Sequence, residues 1–249
     1  MAVWAHKLIF KHEGMIETAL YLIPVPLSEG PLTRVLPAEN VAVVSEIKHF
    51  VVENVRSARR FLKKCDPGID IDTLSFSELN RHTDPAEIAT FLAPLEAGNP
   101  MGVISEAGCP AVADPGADVV AIAQRRGFRV VPLVGPSSIL MGLMASGFNG
   151  QSFAFEGYLP IDAQDRARRL RELQHRVMHE NQTQIFIETP YRNDALLAEL
   201  CRILPPKMRL CVATDITGQG ERIVSRSIGQ WANGGIKLGK VPTIFLLYK

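Results

Sequence analysis

Glycine-rich phosphate-binding motifs are missing from this sequence. It has no Gly-x-x-x-x-Gly-Lys followed by Ser or Thr, so a phosphate-cradling P-loop is not expected. It also has no Gly-x-Gly-x-x-Gly opening a helix after a strand, the motif of dinucleotide-binding domains. The one Gly-x-Gly, Gly218-Gln219-Gly220, stands alone late in the chain. The sequence therefore argues against P-loop nucleotides and nicotinamide cofactors.

Cysteine is scarce, and none is spaced for metal binding or redox chemistry. The 4 cysteines are scattered and form no Cys-x-x-Cys. We therefore expect no disulfide framework, no zinc site and a reducing, cytoplasmic location. His175 and His179 have the spacing to chelate a metal from one helix, but their arginine-rich surroundings favour a solvated face. No metal is predicted.

Neither a strong net charge nor a long apolar run is present. The formal net charge is +1 over 249 residues, so no global field attracts nucleic acid. No apolar run reaches the roughly 18 residues of a spanning helix, and no membrane partner is expected. Residues 1–14 lack a small-residue cleavage pattern, so we interpret them as an N-terminal extension rather than a signal peptide.

The most informative segment that is present runs from Met101 to Pro136. It predicts a strand at 101–105, a glycine- and proline-rich loop, a helix ending before Gly127, and a strand at 128–134. In open α/β sheets, ligands lie beyond the carboxyl ends of strands. The loops that follow these two strands are therefore the candidate binding loops, although an ordinary βα loop without a ligand has the same spacing.

Strands and helices alternate along the rest of the chain, which predicts an α/β protein. Further strands are predicted at 19–25, 41–45, 71–74, 152–155, 184–188, 208–213 and 243–248. Further helices are predicted at 51–64, 85–97, 139–146, 163–180 and 196–203, with Ser137 as an N-cap and Gly147 as a stop. We place a domain break near 134–137, which gives an N-terminal domain at 15–134 and a C-terminal domain at 135–249.

Several motifs occur in a fixed order: LYLIPVPLSEG, SEAGCPAVADPG, VVPLVGPSS, FAFEGYLP, IFIETPYR and VPTIFLLYK. In order and spacing they resemble the tetrapyrrole methylase family of S-adenosylmethionine-dependent methyltransferases. Within it they are most similar to the ribosomal-RNA small-subunit methyltransferase I branch. The resemblance covers about residues 20–249. It implies two α/β domains with the cofactor in the interdomain cleft, S-adenosylmethionine as cofactor, and a homodimer.

The chain departs from that branch at single residues and in whole segments. Glu106 stands where the branch has Asp, Cys109 where it has Thr, and Tyr191 where it has His. Three segments also differ. Residues 26–30 replace the branch's Pro-Ile-Gly-Asn turn, residues 45–49 replace its Glu-Asp-Thr-Arg segment after the second strand, and residues 214–217 replace its Thr-Lys segment. The cofactor loops are thus better kept than the substrate-facing segments.

The resemblance implies which residues of this sequence bind the cofactor. They are Leu27, Ser105, Glu106, Ala107, Gly108, Cys109, Pro110, Val112, Ser137, Ser138, Ala213, Pro242 and Thr243. Glu106 is the first choice for a catalytic base because it occupies a motif position in the cofactor loop. Asp114, Glu156 and Glu188 are the other carboxylate candidates, and the last two could instead pair with Arg192.

Two basic stretches bear on the methyl acceptor. Cations cluster at 56–64 and 166–176, where they could contact RNA phosphates or form a solvated face. The predicted function is S-adenosylmethionine-dependent 2′-O-ribose methylation of cytidine in 16S ribosomal RNA, with the small ribosomal subunit as partner. Methylation of a small molecule such as a tetrapyrrole or corrinoid is an alternative. A degenerate cofactor-binding module without catalysis is a third, supported by the altered segment 45–49.

Overall fold

The computed structural model of the chain describes residues 16–80 and 83–249. The predicted extension at 1–14 lies outside these residues. The chain divides into two compact units, each holding one five-stranded sheet. Unit 1 contains residues 16–23, Ala38–Ser105 and Asp114–Leu133, and unit 2 contains Pro24–Pro37, Glu106–Ala113 and Val134–Lys249.

Unit 1 is built on a fully parallel sheet in the order β3-β2-β4-β1-β5. Its strands are β1 (Leu20–Ile23), β2 (His49–Val52), β3 (Ser75–Glu78), β4 (Met101–Ile104) and β5 (Val130–Pro132). Its helices are α1 (Ala38–Glu46), α2 (Val55–Cys65), α3 (Pro85–Ile88), α4 (Ala93–Glu96) and α5 (Gly116–Arg125), with short 3-10 turns at Ile71–Thr73 and Ala89–Leu92. Central strand β4 is buried along its whole length, as expected for a parallel strand covered on both faces.

Unit 2 is built on a mixed sheet in the order β6-β7-β10-β8-β9. Its strands are β6 (Phe153–Tyr158), β7 (Thr183–Ile187), β8 (Arg209–Thr214), β9 (Arg222–Ser227) and β10 (Thr243–Tyr248). The pair β6–β7 is parallel, and the other three pairs are antiparallel. Its helices are α6 (Ser138–Ser146), α7 (Ala163–Glu180), α8 (Asn193–Ile203) and α9 (Ile228–Ala232), with 3-10 turns at Leu32–Arg34 and Pro190–Arg192.

Elements with clear end signals lie where the sequence predicts them. Helix α7 and strand β10 have the predicted bounds. Ser137 caps α6, since its side chain accepts a hydrogen bond from the backbone N–H of Leu140. Gly147 ends that helix with a φ of +73°, the left-handed conformation expected at a helix C-terminus.

The prediction of a strand at 41–45 is wrong, because these residues lie inside α1. The short apolar run Val41-Ala42-Val43-Val44 fits a buried helix as well as a strand, and its sequence pattern alone cannot decide. The predicted helix at 51–64 likewise starts too early. Residues 49–52 form β2, and α2 begins after Asn54, whose Oδ1 accepts hydrogen bonds from Arg56 N at 2.9 Å and Ser57 N at 3.1 Å.

This correction changes which residues correspond to one of the family motifs. The segment that follows the second strand is Glu53-Asn54-Val55-Arg56, not 45–49. It matches the branch's Glu-Asp-Thr-Arg at its first and last positions. The altered segment that favoured a degenerate module is therefore not the equivalent segment, and that support for the module is lost.

Three further differences concern short or polar elements. Residues 71–73 form a 3-10 turn, and the strand begins only at Ser75. The strand expected at 128–134 is reduced to three residues at the sheet edge, two half-buried and one exposed, and Val134 beyond it is 73% exposed. Strand β9 and helix α9 were not predicted at all, because the polar sequence from 222 to 227 lacks a continuous apolar run.

The two compact units differ from the predicted domains in two segments. Residues 24–37 and 106–113 precede the predicted boundary at 134 but group with unit 2. Val25 and Gly108 exchange two backbone hydrogen bonds, of 2.9 and 3.1 Å, which tie these segments to each other, and the Ser28 hydroxyl donates to Asp215 in the rest of unit 2. The domain assignment at 15–134 and 135–249 stays a prediction.

Candidate active site in unit 2

The loop that follows β4 turns at Gly108, where three parts of unit 2 meet. Gly108 has a φ of +71°, and a Cβ placed on it would lie 3.1 Å from Leu27 Cδ2 and 3.4 Å from the carbonyl oxygen of Pro136. A side chain at this position would be strained and would press on both neighbours. The absence of a side chain therefore lets the loop after β1, the loop after β4 and the segment before α6 approach closely.

Beyond Gly108, the same loop holds two alanines in the left-handed conformation. Ala111 has a φ of +64° and Ala113 a φ of +61°. For a non-glycine residue this conformation costs about 1–2 kcal/mol. Such strained residues cluster at ligand-binding and catalytic sites. Between the two alanines, Val112 is 50% exposed, so the loop presents an apolar side chain on a strained backbone.

Cys109 fastens the loop to the segment that leads into α6. Its Sγ lies 3.4 Å from the carbonyl oxygen of Pro136. Burial raises the pKa of the Cys109 thiol, so the thiol is protonated at neutral pH and can donate this hydrogen bond. A Thr hydroxyl, which the related branch has here, could donate in the same way. Pro110 next to it is buried, whereas Glu106 and Ala107 at the start of the loop are exposed.

The N-terminus of α6 follows directly. Ser137 has extended backbone angles and accepts the Leu140 N–H at 3.4 Å, and Ser138 is the first residue of the helix. The first N–H groups of a helix have no partner within the helix, and the helix dipole is positive there. This end of α6 can therefore receive a carboxylate or a hydroxyl oxygen.

Antiparallel pairing brings the end of β8 beside the start of β10. Ala213 is fully buried in an apolar cluster with Leu143 and Ile244, and Leu27 packs against the same cluster. The backbone N–H of Asp215 donates to the carbonyl oxygen of Pro242 at 2.9 Å. The predicted residues Leu27, Gly108, Cys109, Ala213 and Pro242 are thus connected within unit 2 by direct contacts or through a shared cluster.

Thr243, the last of the predicted cofactor residues, is held by a buried amide. Its Oγ1 donates to the carbonyl oxygen of Val241 at 2.9 Å and accepts from Asn193 Nδ2 at 2.9 Å. Asn193 is fully buried and also donates to Val241 O at 2.8 Å. The segment before β10 is therefore fixed by the first residue of α8.

Asp215, which the sequence did not single out, joins two of these segments. Its Oδ1 accepts from Ser28 Oγ at 2.7 Å, and its Oδ2 accepts from the N–H of Gly220 at 2.8 Å. Asp215 itself is left-handed, with a φ of +47°. The carboxylate thus ties the residue after Leu27 to the turn between β8 and β9. The sequence signals for this turn were the altered segment 214–217 and the isolated Gly218-Gln219-Gly220.

Ser105 is the one predicted cofactor residue that groups with unit 1. It is buried and lines a small cavity at the carboxyl ends of β2 and β4, together with Glu53 and Asp114. Asp114 Oδ1 accepts the N–H of Gly116, the first residue of α5, at 2.7 Å. Sequence reasoning missed Glu53 because it placed the second strand at 41–45 rather than at His49–Val52.

Two of the other carboxylate candidates have structural partners. The Glu156 side chain is 7% exposed and pairs with Arg169 and, at 3.1 Å, with Arg176. The Glu188 side chain is 4% exposed, accepts the N–H of Thr189 at 2.7 Å and lies 3.4 Å from Arg192. Glu188 thus makes the Arg192 pair considered from the sequence, whereas Glu156 pairs with α7. Glu106 stays the predicted base.

The histidine pair forms a stack rather than part of a larger ligand cluster. The rings of His175 and His179 have centroids 4.0 Å apart. In the part of the chain that the structure describes, no group of three or more His, Cys, Asp or Glu side chains could hold a metal ion. None of the helices formed by these residues combines the length and apolar character needed to cross a bilayer.

Comparisons of fold connect the chain with methyltransferases. The chain resembles the methyltransferase CobJ, with a TM-score of 0.61 and 14% identity over 93% of this chain and 94% of that one. It also resembles uroporphyrin-III C-methyltransferase from Thermus thermophilus, solved with S-adenosylhomocysteine, with a TM-score of 0.51 and 18% identity over 92% of both chains. The fold is therefore that of the tetrapyrrole methylases.

Comparisons of sequence are more specific. The chain matches no protein-family model. It is 29% identical over 205 residues to the ribosomal RNA small subunit methyltransferase I of Vibrio cholerae, covering 82% of this chain and 67% of that protein. It is 30% identical over 211 residues to the enzyme of the same name from Pseudomonas aeruginosa, covering 85% of this chain and 71% of that protein. The chain therefore belongs to the ribosomal RNA small subunit methyltransferase I family and is an S-adenosylmethionine-dependent methyltransferase.

Proposed function

We propose that the protein methylates the ribose 2′-hydroxyl of a cytidine in 16S ribosomal RNA, acting on the small ribosomal subunit in the cytoplasm. The observation that carries the proposal is the 30% identity, over 85% of the chain, to a relative named for small-subunit ribosomal RNA. The cytidine and its 2′-hydroxyl follow from the resemblance to that branch. The correction of the second strand supports the proposal, because Glu53 and Arg56 now match its Glu-Asp-Thr-Arg segment.

We assign the cofactor to the predicted residues, which fit it in shape and polarity. S-adenosylmethionine supplies a methyl group on a positively charged sulfur, and the leaving group departs neutral. Gly108 has no side chain, so a ligand can approach the backbone of this loop, whereas a Cβ there would press on Leu27 and Pro136. The N–H groups at Ser137 and Ser138 suit a carboxylate or a ribose hydroxyl. The apolar surface around Ala213 suits an adenine ring.

These residues contribute mainly by position. A methyl transfer needs the donor and the acceptor oxygen in line, and holding reactants in place can supply several kcal/mol of the barrier reduction. The hydroxyl acceptor also has to lose a proton, which favours a carboxylate within reach. We assign this role to Glu106, which is exposed at the start of the loop and so accessible to an acceptor.

A small tetrapyrrole-type acceptor is the second candidate, favoured by one observation. The solved structures that share this fold include methyltransferases named for uroporphyrin-III and precorrin substrates. Their identities of 14% and 18% support the fold alone. The relatives near 30% identity carry the ribosomal name, so ribosomal RNA is the first choice.

The decisive experiment is methylation of small ribosomal subunits with radiolabelled S-adenosylmethionine. Subunits from cells that lack the protein should accept the label in 16S RNA, whereas subunits from cells that contain it should already be methylated. The labelled nucleotide should be a cytidine that resists alkaline cleavage, because its 2′-oxygen is blocked. Label on a base, or on a tetrapyrrole and not on RNA, would contradict the proposal.

A further inference from the structure

Helix α2 presents an unusually uniform basic face. Its 11 residues include three arginines and two lysines and no acidic residue. All five cations are exposed: Arg56, Arg59, Arg60, Lys63 and Lys64. Their spacing of three and four residues places them on one side of the helix, and the buried Ala58, Phe61 and Leu62 define the other side. Positive charge is therefore concentrated on one side of α2, although the net charge of the chain is only +1.

Four of these cations have no carboxylate partner within residues 16–80 and 83–249. Arg56, Arg59, Arg60 and Lys63 take part in no ion pair there. Arg59 instead lies over the ring of Phe76, 5.4 Å from its centroid, and Lys63 donates to the carbonyl oxygen of Pro67 at 3.2 Å. Their charges are thus available to an outside anion.

Helix α7, the other basic stretch, is different. Arg166 pairs with Glu199 at 2.6 Å and donates to two backbone carbonyls, and Arg169 and Arg176 pair with Glu156. Arg168 is exposed but pairs with Asp165 at 2.8 Å. Most of the arginines of α7 therefore hold unit 2 together, and their charges are balanced inside the protein.

We propose that the basic face of α2 is the surface that contacts the phosphate backbone of the RNA substrate, and that α7 is not. This inference rests on the proposed function and adds which surface of the molecule recognises the polyanion. The stripe from Arg56 to Lys63 is about 10 Å long, from the rise of 1.5 Å per residue. Arginine and lysine side chains along it can replace counterions on successive phosphates, and the affinity is then salt-dependent.

The test compares charge reversals on the two helices. Arg60→Glu with Lys63→Glu changes the charge of α2 by four units without touching its buried side or the motif residue Arg56. Arg168→Glu with Arg171→Glu makes the same change on the exposed side of α7 and serves as the matched control. Binding to isolated small ribosomal subunits is measured over a salt series, and S-adenosylhomocysteine affinity is measured by calorimetry for every variant.

The α2 double variant should bind subunits about tenfold more weakly and lower the salt slope by about two, because each lost phosphate contact lowers it by about one. The α7 variant should change the affinity less than about twofold. Cofactor affinity should be unchanged in both. An equal loss on both helices, or no loss on α2, overturns the inference. Wild-type protein that shows no subunit binding overturns the proposed function itself.

Discussion

At the residue scale, Gly108 is the position on which the assigned cofactor site most depends. Its φ of +71° and its closeness to Leu27 and Pro136 impose two separate constraints, one on the backbone and one on space. Gly147 has nearly the same φ, +73°, but a Cβ there would have no atom within 4 Å. Substitutions at the two glycines therefore distinguish the effect of backbone strain from the effect of lost space.

We predict that Gly108→Val abolishes measurable S-adenosylhomocysteine binding, whereas Gly147→Val keeps it. Both variants should lose about 1–2 kcal/mol of stability from the left-handed backbone. At Gly108 the new side chain also displaces the segments that contain Leu27 and Pro136, next to the assigned cofactor site. Calorimetry and thermal unfolding measure the two effects. Normal cofactor binding by a folded Gly108→Val protein would remove this loop from the site.

Asp215 is a second residue whose importance lies in what it joins. The hydrogen bond from Ser28 Oγ, at 2.7 Å, links the loop after β1 to the turn after β8. A hydrogen bond to a charged group is worth about 1.5–3 kcal/mol. Because Leu27 is adjacent to Ser28 and Pro242 accepts the Asp215 N–H, loss of this link should misplace both assigned cofactor residues.

We therefore predict that Ser28→Ala and Asp215→Asn each weaken S-adenosylhomocysteine binding, and that their effects are not additive in the double variant. Non-additivity is expected for residues in direct contact. Ser225→Ala is the control, since Ser225 Oγ donates to Ser146 O at 2.7 Å elsewhere in unit 2. Calorimetry of the four proteins of the cycle is the measurement. Fully additive losses, or an equal loss in the control, would show that the link does not position the cofactor.

At the scale of the element, α7 shows how an arginine-rich helix can be structural. The hydrogen bond that Arg169 donates to Glu172 raises the pKa of its guanidinium. The negative charge of Glu156 and the hydrogen bond to it raise this pKa further, so Arg169 stays charged. Glu156 is buried and depends on Arg169 and Arg176 for compensation. The sequence shows acidic residues on α7 and none on α2, but it does not reveal the buried partner Glu156, which comes from another element.

We predict that Arg169→Ala destabilises the protein by about 2–3 kcal/mol, somewhat below the 3–5 kcal/mol for breaking a fully buried pair, because Arg176 still contacts Glu156. Arg168→Ala, on the same helix but 71% exposed, should cost less than about 0.5 kcal/mol. Chemical denaturation gives both values. Equal stabilities for the two variants would mean that the Glu156 cluster contributes little to stability.

At the scale of the whole molecule, the resemblance predicts a homodimer, and we propose that the protein forms one. Light scattering at micromolar concentration should give twice the chain mass of 27.4 kDa. Dilution should lower this mass only when the concentration approaches the dissociation constant. A single-chain mass throughout the concentration series would contradict the proposal. A mass that changes on addition of S-adenosylhomocysteine would couple assembly to the cofactor.

Features that depend on local chemistry could be predicted from short stretches of the sequence. The α/β class, the bounds of α7 and β10, the cap at Ser137 and the stop at Gly147 all follow from periodicity and end signals over a few residues. The motif order identified the family, and ~30% identity to curated relatives confirms it. These features need no knowledge of which elements pack together.

Features that depend on residues distant in sequence emerge only in the folded chain. Residues 41–45 became helix rather than strand because packing decides an apolar run whose pattern fits both, and this moved a family motif to Glu53. Strand β9 is polar and exists because β8 offers it a pairing edge. Asp215 and Ser28 are 187 positions apart, and Glu156 neutralises arginines of another element. A one-dimensional pattern records side chains but not which of them meet, so such contacts appear only once the chain has folded.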